Sequence, residues 1–111
     1  MELVLVVLTA PTPQARTPIS PQVLTDILWA NATPADGLQH ISVRTGPDPR
    51  DYVIGLFLLP ADTDVAERAL RICQQAVHAA PALNNWTVAR LRISSASARR
   101  RPQISPTRPD Q

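Results

Sequence analysis

Two short runs of the chain, residues 3–8 and 52–59, are apolar at almost every position. Successive side chains of a β-strand point to opposite faces, so a strand with one face in water alternates between apolar and polar residues. These two runs do not alternate. Such runs are typical of strands that are covered on both faces. We therefore expect them to form the centre of a sheet.

Two further segments, residues 38–45 and 86–94, do alternate and are typical of half-exposed edge strands. In the first segment Ile41 and Val43 share the apolar face. In the second segment Ala89, Leu91 and Ile93 share one face, and Val88 lies on the other. The polar side chains predicted to point away from the helices are His40, Ser42 and Arg44 in the first segment and Arg90 and Arg92 in the second.

A first helix is predicted to begin after residues 10–19, a proline-rich segment that we expect to be irregular. Ser20 followed by Pro21 is a helix start, because a hydroxyl caps the first turn and proline suits the first helical position. Apolar residues at helical spacing continue as far as Asn31, where we expect the helix to end.

A second helix is predicted after Asp64 and Glu67, whose spacing is that of a capping pair. Seven apolar residues follow the 3.6-residue period of one helix face, and they include Cys73. Arg68 and Arg71 lie four residues after the two acids. We interpret these as ion pairs on the water-facing side of the helix.

The predicted order is βαββαβ, which resembles the ferredoxin-like α+β sandwich over residues 2–94. That architecture implies an antiparallel sheet of strand order 4-1-3-2, with both helices on one face. It places the two apolar runs in the centre and the two alternating strands at the edges. We therefore expect one domain over residues 1–95. Residues 96–111, rich in Arg, Pro and Ser, are predicted to be a disordered tail.

Composition narrows the function classes. Residues 1–95 contain seven arginines and eight acidic residues, a net charge of −1, so the excess positive charge lies in the tail. A nucleic-acid-binding fold usually carries its basic patch on the folded surface. The net charge of residues 1–95 is not typical of such a fold. A single cysteine, Cys73, excludes an intrachain disulfide or a multi-cysteine metal site, and we predict neither metal nor cofactor. No run approaches the length of a membrane span, which favours a cytoplasmic protein.

Two helices cover only one face of such a sheet, so the other face needs a partner. We expect a homodimer that pairs sheet to sheet. The residues predicted to bind on this face are His40, Arg44, Tyr52, Ile54, Arg90 and Arg92. The alternative is that the tail or the segment 10–19 folds across the face.

The leading hypothesis is a non-catalytic binding or accessory module, with protein partners beyond its own second copy left open. Trp29 is a candidate anchor for a partner, unless the segment 10–19 packs over it. An alternative is an enzyme of the dimeric α+β barrel type, similar to cofactor-independent monooxygenases and cyclases, with its substrate between sheet and helices. Its polar contacts would come from His40, Arg44, Arg90 or Tyr52. A second alternative is weak nucleic-acid binding through Arg99, Arg100 and Arg101.

Overall fold

The computed structural model describes residues 1–61 and 63–91 of the 111-residue chain. They form a small α+β domain with a four-stranded antiparallel sheet. The strands are β1 (Glu2–Thr9), β2 (Leu38–Thr45), β3 (Asp51–Leu58) and β4 (Thr87–Arg90), and the helices are α1 (Pro13–Arg16), α2 (Pro21–Ala30) and α3 (Val65–Ala79). The sheet order is β2-β3-β1-β4, which is the predicted order read from the opposite edge.

The core lies between one face of the sheet and the helices α2 and α3. Both helices begin at the predicted caps: the Ser20 hydroxyl accepts a hydrogen bond from the Val23 amide at 3.1 Å, and the Asp64 carboxylate accepts one from the Ala66 amide at 2.8 Å, not from the amide of Glu67 that a capping pair would use. Each helix then presents apolar residues to the sheet. The fully buried side chains include Val6, Leu8, Leu24, Leu28, Ile54, Leu56, Leu58, Ile72 and Cys73.

The segment 10–19 is not irregular throughout, because it contains the short helix α1. Thr12 caps this helix and Pro13 occupies its first turn, so the same signals that begin α2 operate here as well. The segment packs at the beginning of β3. The Tyr52 hydroxyl donates to the Ile19 carbonyl, and the Arg16 guanidinium lies 5.0 Å from the centre of the Tyr52 ring. This segment therefore lies on the helix side of the sheet, not across the opposite face.

The arginines of α3 do not form the predicted ion pairs. Arg68 is buried and donates to the backbone carbonyls of Asp36 at 2.5 Å and Leu59 at 2.8 Å. Arg71 pairs with the buried carboxylate of Asp36. Asp36 lies in a single 3₁₀ turn before β2, so both arginines hold that turn against α3.

Some predictions fall on residues outside the described ones. These are Arg92, Arg99, Arg100, Arg101 and the boundary between residues 95 and 96. In the described part of the chain, no helix is long and apolar enough to cross a membrane. Residues 1–61 and 63–91 likewise contain no group of three His, Cys, Asp or Glu side chains that could hold a metal ion.

Candidate functional site

The side of the sheet opposite the helices, which we call the open face, is formed by alternate residues of all four strands. In an antiparallel sheet, directly opposed residues have their side chains on the same face. Leu3 is opposite Phe57, and Phe57 is opposite His40, so all three belong to this face. By the same register, the open face contains Leu3, Leu5, Val7, Thr9, His40, Ser42, Arg44, Asp51, Val53, Gly55, Phe57, Thr87 and Ala89.

The centre of the open face is apolar and partly in contact with water. Leu3 is 51% exposed. The neighbouring side chains of Leu5, Val7, Val53 and Phe57 are only half-buried. Single exposed apolar residues are common on proteins, but a contiguous group of them is typical of an interaction site.

His40, Ser42 and Arg44 lie on this face, where the alternation of the sequence puts them. Before these residues, a β-bulge in β2 shifts the register between Leu38 and His40. The extra residue lets Leu38 and Ile41 both be buried while His40 points the other way. The His40 ring lies 5.5 Å from the ring of Phe57, centre to centre. A binding role for His40 and Arg44 stays a prediction.

Tyr52 and Ile54 do not lie on the open face, and this part of the prediction is wrong. Their side chains are 4% and 0% exposed and belong to the core on the helix side. The Tyr52 ring stacks on Trp86, with 6.3 Å between the ring centres. A run that is apolar on both faces carries no signal of which half meets the helices, so the sequence alone could not assign these residues.

Arg90 also lies on the helix side of the sheet. It is opposite Val6, a fully buried residue of β1, whereas Ala89 is opposite Val7 on the open face. Arg90 reaches water because β4 is an edge strand. The alternation within β4 is correct, but the two faces were assigned the wrong way round.

The polar groups proposed for an enzyme site do not converge. His40 and Arg44 lie on the open face of one edge strand, Arg90 lies on the opposite edge strand, and Tyr52 is engaged with the Ile19 carbonyl. Cys73 is fully buried, and burial raises the pKa of its thiol to about 12, so the thiol is protonated and out of reach of a substrate on the surface.

A depression of about 300 Å³ lies in the middle of the open face. Its floor is Gly55, which has no side chain and is buried beneath its neighbours. A Cβ atom at this position would lie 2.8 Å from the Ser42 Oγ and 3.3 Å from a methyl carbon of Leu3. The walls are formed by strand residues, namely Leu3, Leu5, Ser42, Arg44, Val53 and Phe57.

Sequence reasoning missed this depression, although it left one signal. A glycine in the interior of a strand often marks a close approach of a ligand or another backbone, and Gly55 stands in the middle of an apolar run. Val53 and Phe57 lie two residues before and after Gly55. Side chains alternate along a strand, so these two share the open face with Gly55, whereas Tyr52 and Ile54 point to the helix side.

Trp29, the predicted partner anchor, is 42% exposed at the end of α2. It lines a second depression, of about 380 Å³, together with Pro34, Leu38 and Leu59. The segment 10–19 does not pack over it, because that segment is held at Tyr52. A partner for Trp29 stays a prediction.

A third depression, also of about 380 Å³, lies between the end of α2 and α3. Its polar lining includes Asn31, Asp36, Arg71 and Gln75. The charges are already engaged there, because Arg71 pairs with Asp36. The open face is therefore the stronger candidate for a functional surface.

No protein-family model, curated protein or solved structure matches this chain.

Proposed function

We propose that this protein is a cytoplasmic binding or accessory module of ferredoxin-like architecture that pairs with a second copy through its open face. The observation that carries the proposal is the partly exposed apolar centre of that face, formed by the exposed Leu3 and the half-buried Leu5, Val53 and Phe57. Covering apolar surface stabilises an association by about 25 cal/mol per Å². A second copy of the chain presents the same apolar surface and can pack against the first. Twofold dimers are also the commonest oligomers.

The charges on the open face favour a twofold pairing. Arg44 is on β2 and Asp51 on β3, so one positive and one negative side chain lie on the same surface. The ion pairs of the described residues join Arg50 to Asp48 and Arg71 to Asp36, and neither includes Arg44 or Asp51. In a face-to-face dimer, each copy therefore presents one positive and one negative side chain to the other, so the two faces do not carry charge of a single sign.

The size of the face sets the expected strength. Four strands of the observed lengths present a surface of about 500 Å² per copy at ordinary strand spacing and rise. Pairing would therefore remove about 1,000 Å² in total from water, which is the low end for specific interfaces. We expect a dimer that forms at high protein concentration and dissociates on dilution.

The test is sedimentation equilibrium of the full chain over a range of concentrations, with two matched variants. Leu3→Glu places a charge in the apolar centre, and Val23→Glu places the same charge at a position on α2 that is 41% exposed. The wild type and Val23→Glu are expected to approach twice the chain mass of 12.1 kDa, and Leu3→Glu to remain monomeric.

Val23 is a fair control because a glutamate there is compatible with the helix. It is the third residue of α2, where glutamate completes a capping box with Ser20. A wild type that stays monomeric at every concentration would refute the proposal. So would a dimer that Val23→Glu disrupts and Leu3→Glu does not.

A further inference from the structure

The depression above Gly55 combines an apolar floor with a polar wall on one side. Leu3, Leu5, Val53 and Phe57 provide carbon surface, and Ser42 and Arg44 stand together on β2. Arg44 is the one charged residue among the described residues that line it. The chemistry is therefore asymmetric: a ligand with an apolar body and a single anionic group matches both parts.

We infer that this depression binds a small apolar carboxylate. The planar guanidinium of Arg44 has the fork geometry that matches a carboxylate with two parallel hydrogen bonds. The Ser42 hydroxyl supplies a further donor beside it. The ring or branched chain of the ligand lies against Leu3, Leu5 and Phe57, which line the depression beside Ser42 and Arg44.

The volume restricts the ligand to a small one. About 300 Å³ is at the lower limit of ligand pockets. Phenylacetate, with about ten non-hydrogen atoms, is of a suitable size for a pocket in that range. Long fatty chains and nucleotides are too large for the depression of one copy.

The inference deepens the proposed function and rests on it for closure of the site. A depression on one sheet leaves one side of a ligand in water, whereas a second sheet laid over it would enclose the ligand. An unfilled hollow between two apolar faces is unfavourable, because its lining atoms lack packing partners. A ligand that fills the hollow must therefore also strengthen the pairing, by thermodynamic linkage.

The experiment titrates the full chain, with its Leu and Val methyl groups ¹³C-labelled, using phenylacetate and, as a neutral analogue, 2-phenylethanol. We expect saturable shifts of the Leu3, Leu5 and Val53 methyl signals with phenylacetate, while the core methyls of Leu24 and Leu28 do not shift. The phenylethanol should bind about tenfold more weakly, because it forms no charge-assisted hydrogen bond.

Two variants isolate the role of the arginine. Arg44→Gln should weaken phenylacetate binding about tenfold and leave phenylethanol binding unchanged. Arg90→Gln makes the same substitution on the other face of the sheet and should change neither. No saturable shift at the open face, or equal affinity for acid and alcohol, would overturn the inference.

Sedimentation equilibrium of the same samples separates this inference from the proposed function. A dimer that ignores phenylacetate would overturn the ligand site and leave the pairing intact. A monomer that binds phenylacetate through Arg44 would support the ligand site and refute the pairing. Both stand together if phenylacetate lowers the concentration at which wild-type dimers form and does not do so in Arg44→Gln.

Discussion

At the scale of single residues, two buried charges hold the turn before β2 in place. Asp36 is almost inaccessible, and its carboxylate accepts hydrogen bonds from the Thr33 amide at 2.7 Å and from the Thr33 hydroxyl at 3.1 Å. Arg68 reaches across from α3 and donates to the carbonyls of Asp36 and Leu59. A buried charge is tolerated only where such partners satisfy it. The turn and the end of β3 are therefore fixed to α3 by one guanidinium.

Arg68→Met should destabilise the protein by about 2 kcal/mol, because it leaves the buried Asp36 carbonyl and the partly buried Leu59 carbonyl without this donor. Methionine preserves much of the length of the side chain, so the loss reports on the hydrogen bonds more than on volume. The matched control is Arg90→Met, at an exposed arginine, which should change stability by less than about 0.5 kcal/mol. Urea unfolding measures both. Equal stability of the two variants would show that Arg68 does not fix the turn.

Cys73 gives a prediction about pH. Burial raises the pKa of its thiol from 9.0 to about 12 in the folded protein. The unfolded chain therefore releases this proton at lower pH, so the contribution to stability is complete below pH 9 and is lost as the pH rises towards 12.

The measurement compares wild type with Cys73→Ala by urea unfolding at neutral pH and again at a pH one unit above 9.0, the pKa of the thiol in the unfolded chain. The wild type should lose about 1.4 kcal/mol relative to the variant between the two conditions. The comparison cancels groups that titrate equally in both proteins. A constant difference between the two proteins would contradict a buried, protonated thiol.

At the scale of elements, the positions of the strands were predictable and the faces were not. The predicted strand 86–94 is observed as β4 over Thr87–Arg90, and residues 92–94 lie outside the described ones. Residues 38–45 were predicted as a strand and form β2, and the apolar run 3–8 lies within β1, because apolar pattern and flanking prolines and glycines mark their ends. Which half of β3 meets the helices depends on tertiary packing, and so Tyr52 and Ile54 were misplaced. Arg90 was misplaced because the register of β4 against β1 is set by backbone pairing that its own alternation does not reveal.

The helix α2 depends on its first turn more than α3 does, since it is shorter. Ser20→Ala removes the acceptor for the Val23 amide and should cost about 1 kcal/mol in the free energy of unfolding. Ser20→Asp keeps an acceptor and adds a charge that suits the start of a helix, so it should retain wild-type stability. Thermal unfolding followed by circular dichroism compares the three proteins. If both variants lose the same stability, the cap is not what holds this helix end.

At the scale of the whole molecule, one side of the sheet is shielded and the other is not. The helices α2 and α3 bury Val6, Ile54 and Leu56 completely, whereas Leu3 on the opposite side is half in water. The sequence indicated this asymmetry, because it contains two apolar strands but few helices. It marked the position of Gly55 but not the shape of the depression there, which arises from the side chains that three neighbouring strands place around that glycine.

The most direct measurement is an isotope-filtered NMR experiment on an equal mixture of ¹³C-labelled and unlabelled protein, at a concentration that favours pairing. It detects contacts only between different copies of the chain. We expect intermolecular contacts from the methyl groups of Leu3, Leu5 and Val53, and none from Val23 on α2. Contacts that arise from the helices instead, or no intermolecular contact at any concentration, would contradict pairing through the open face.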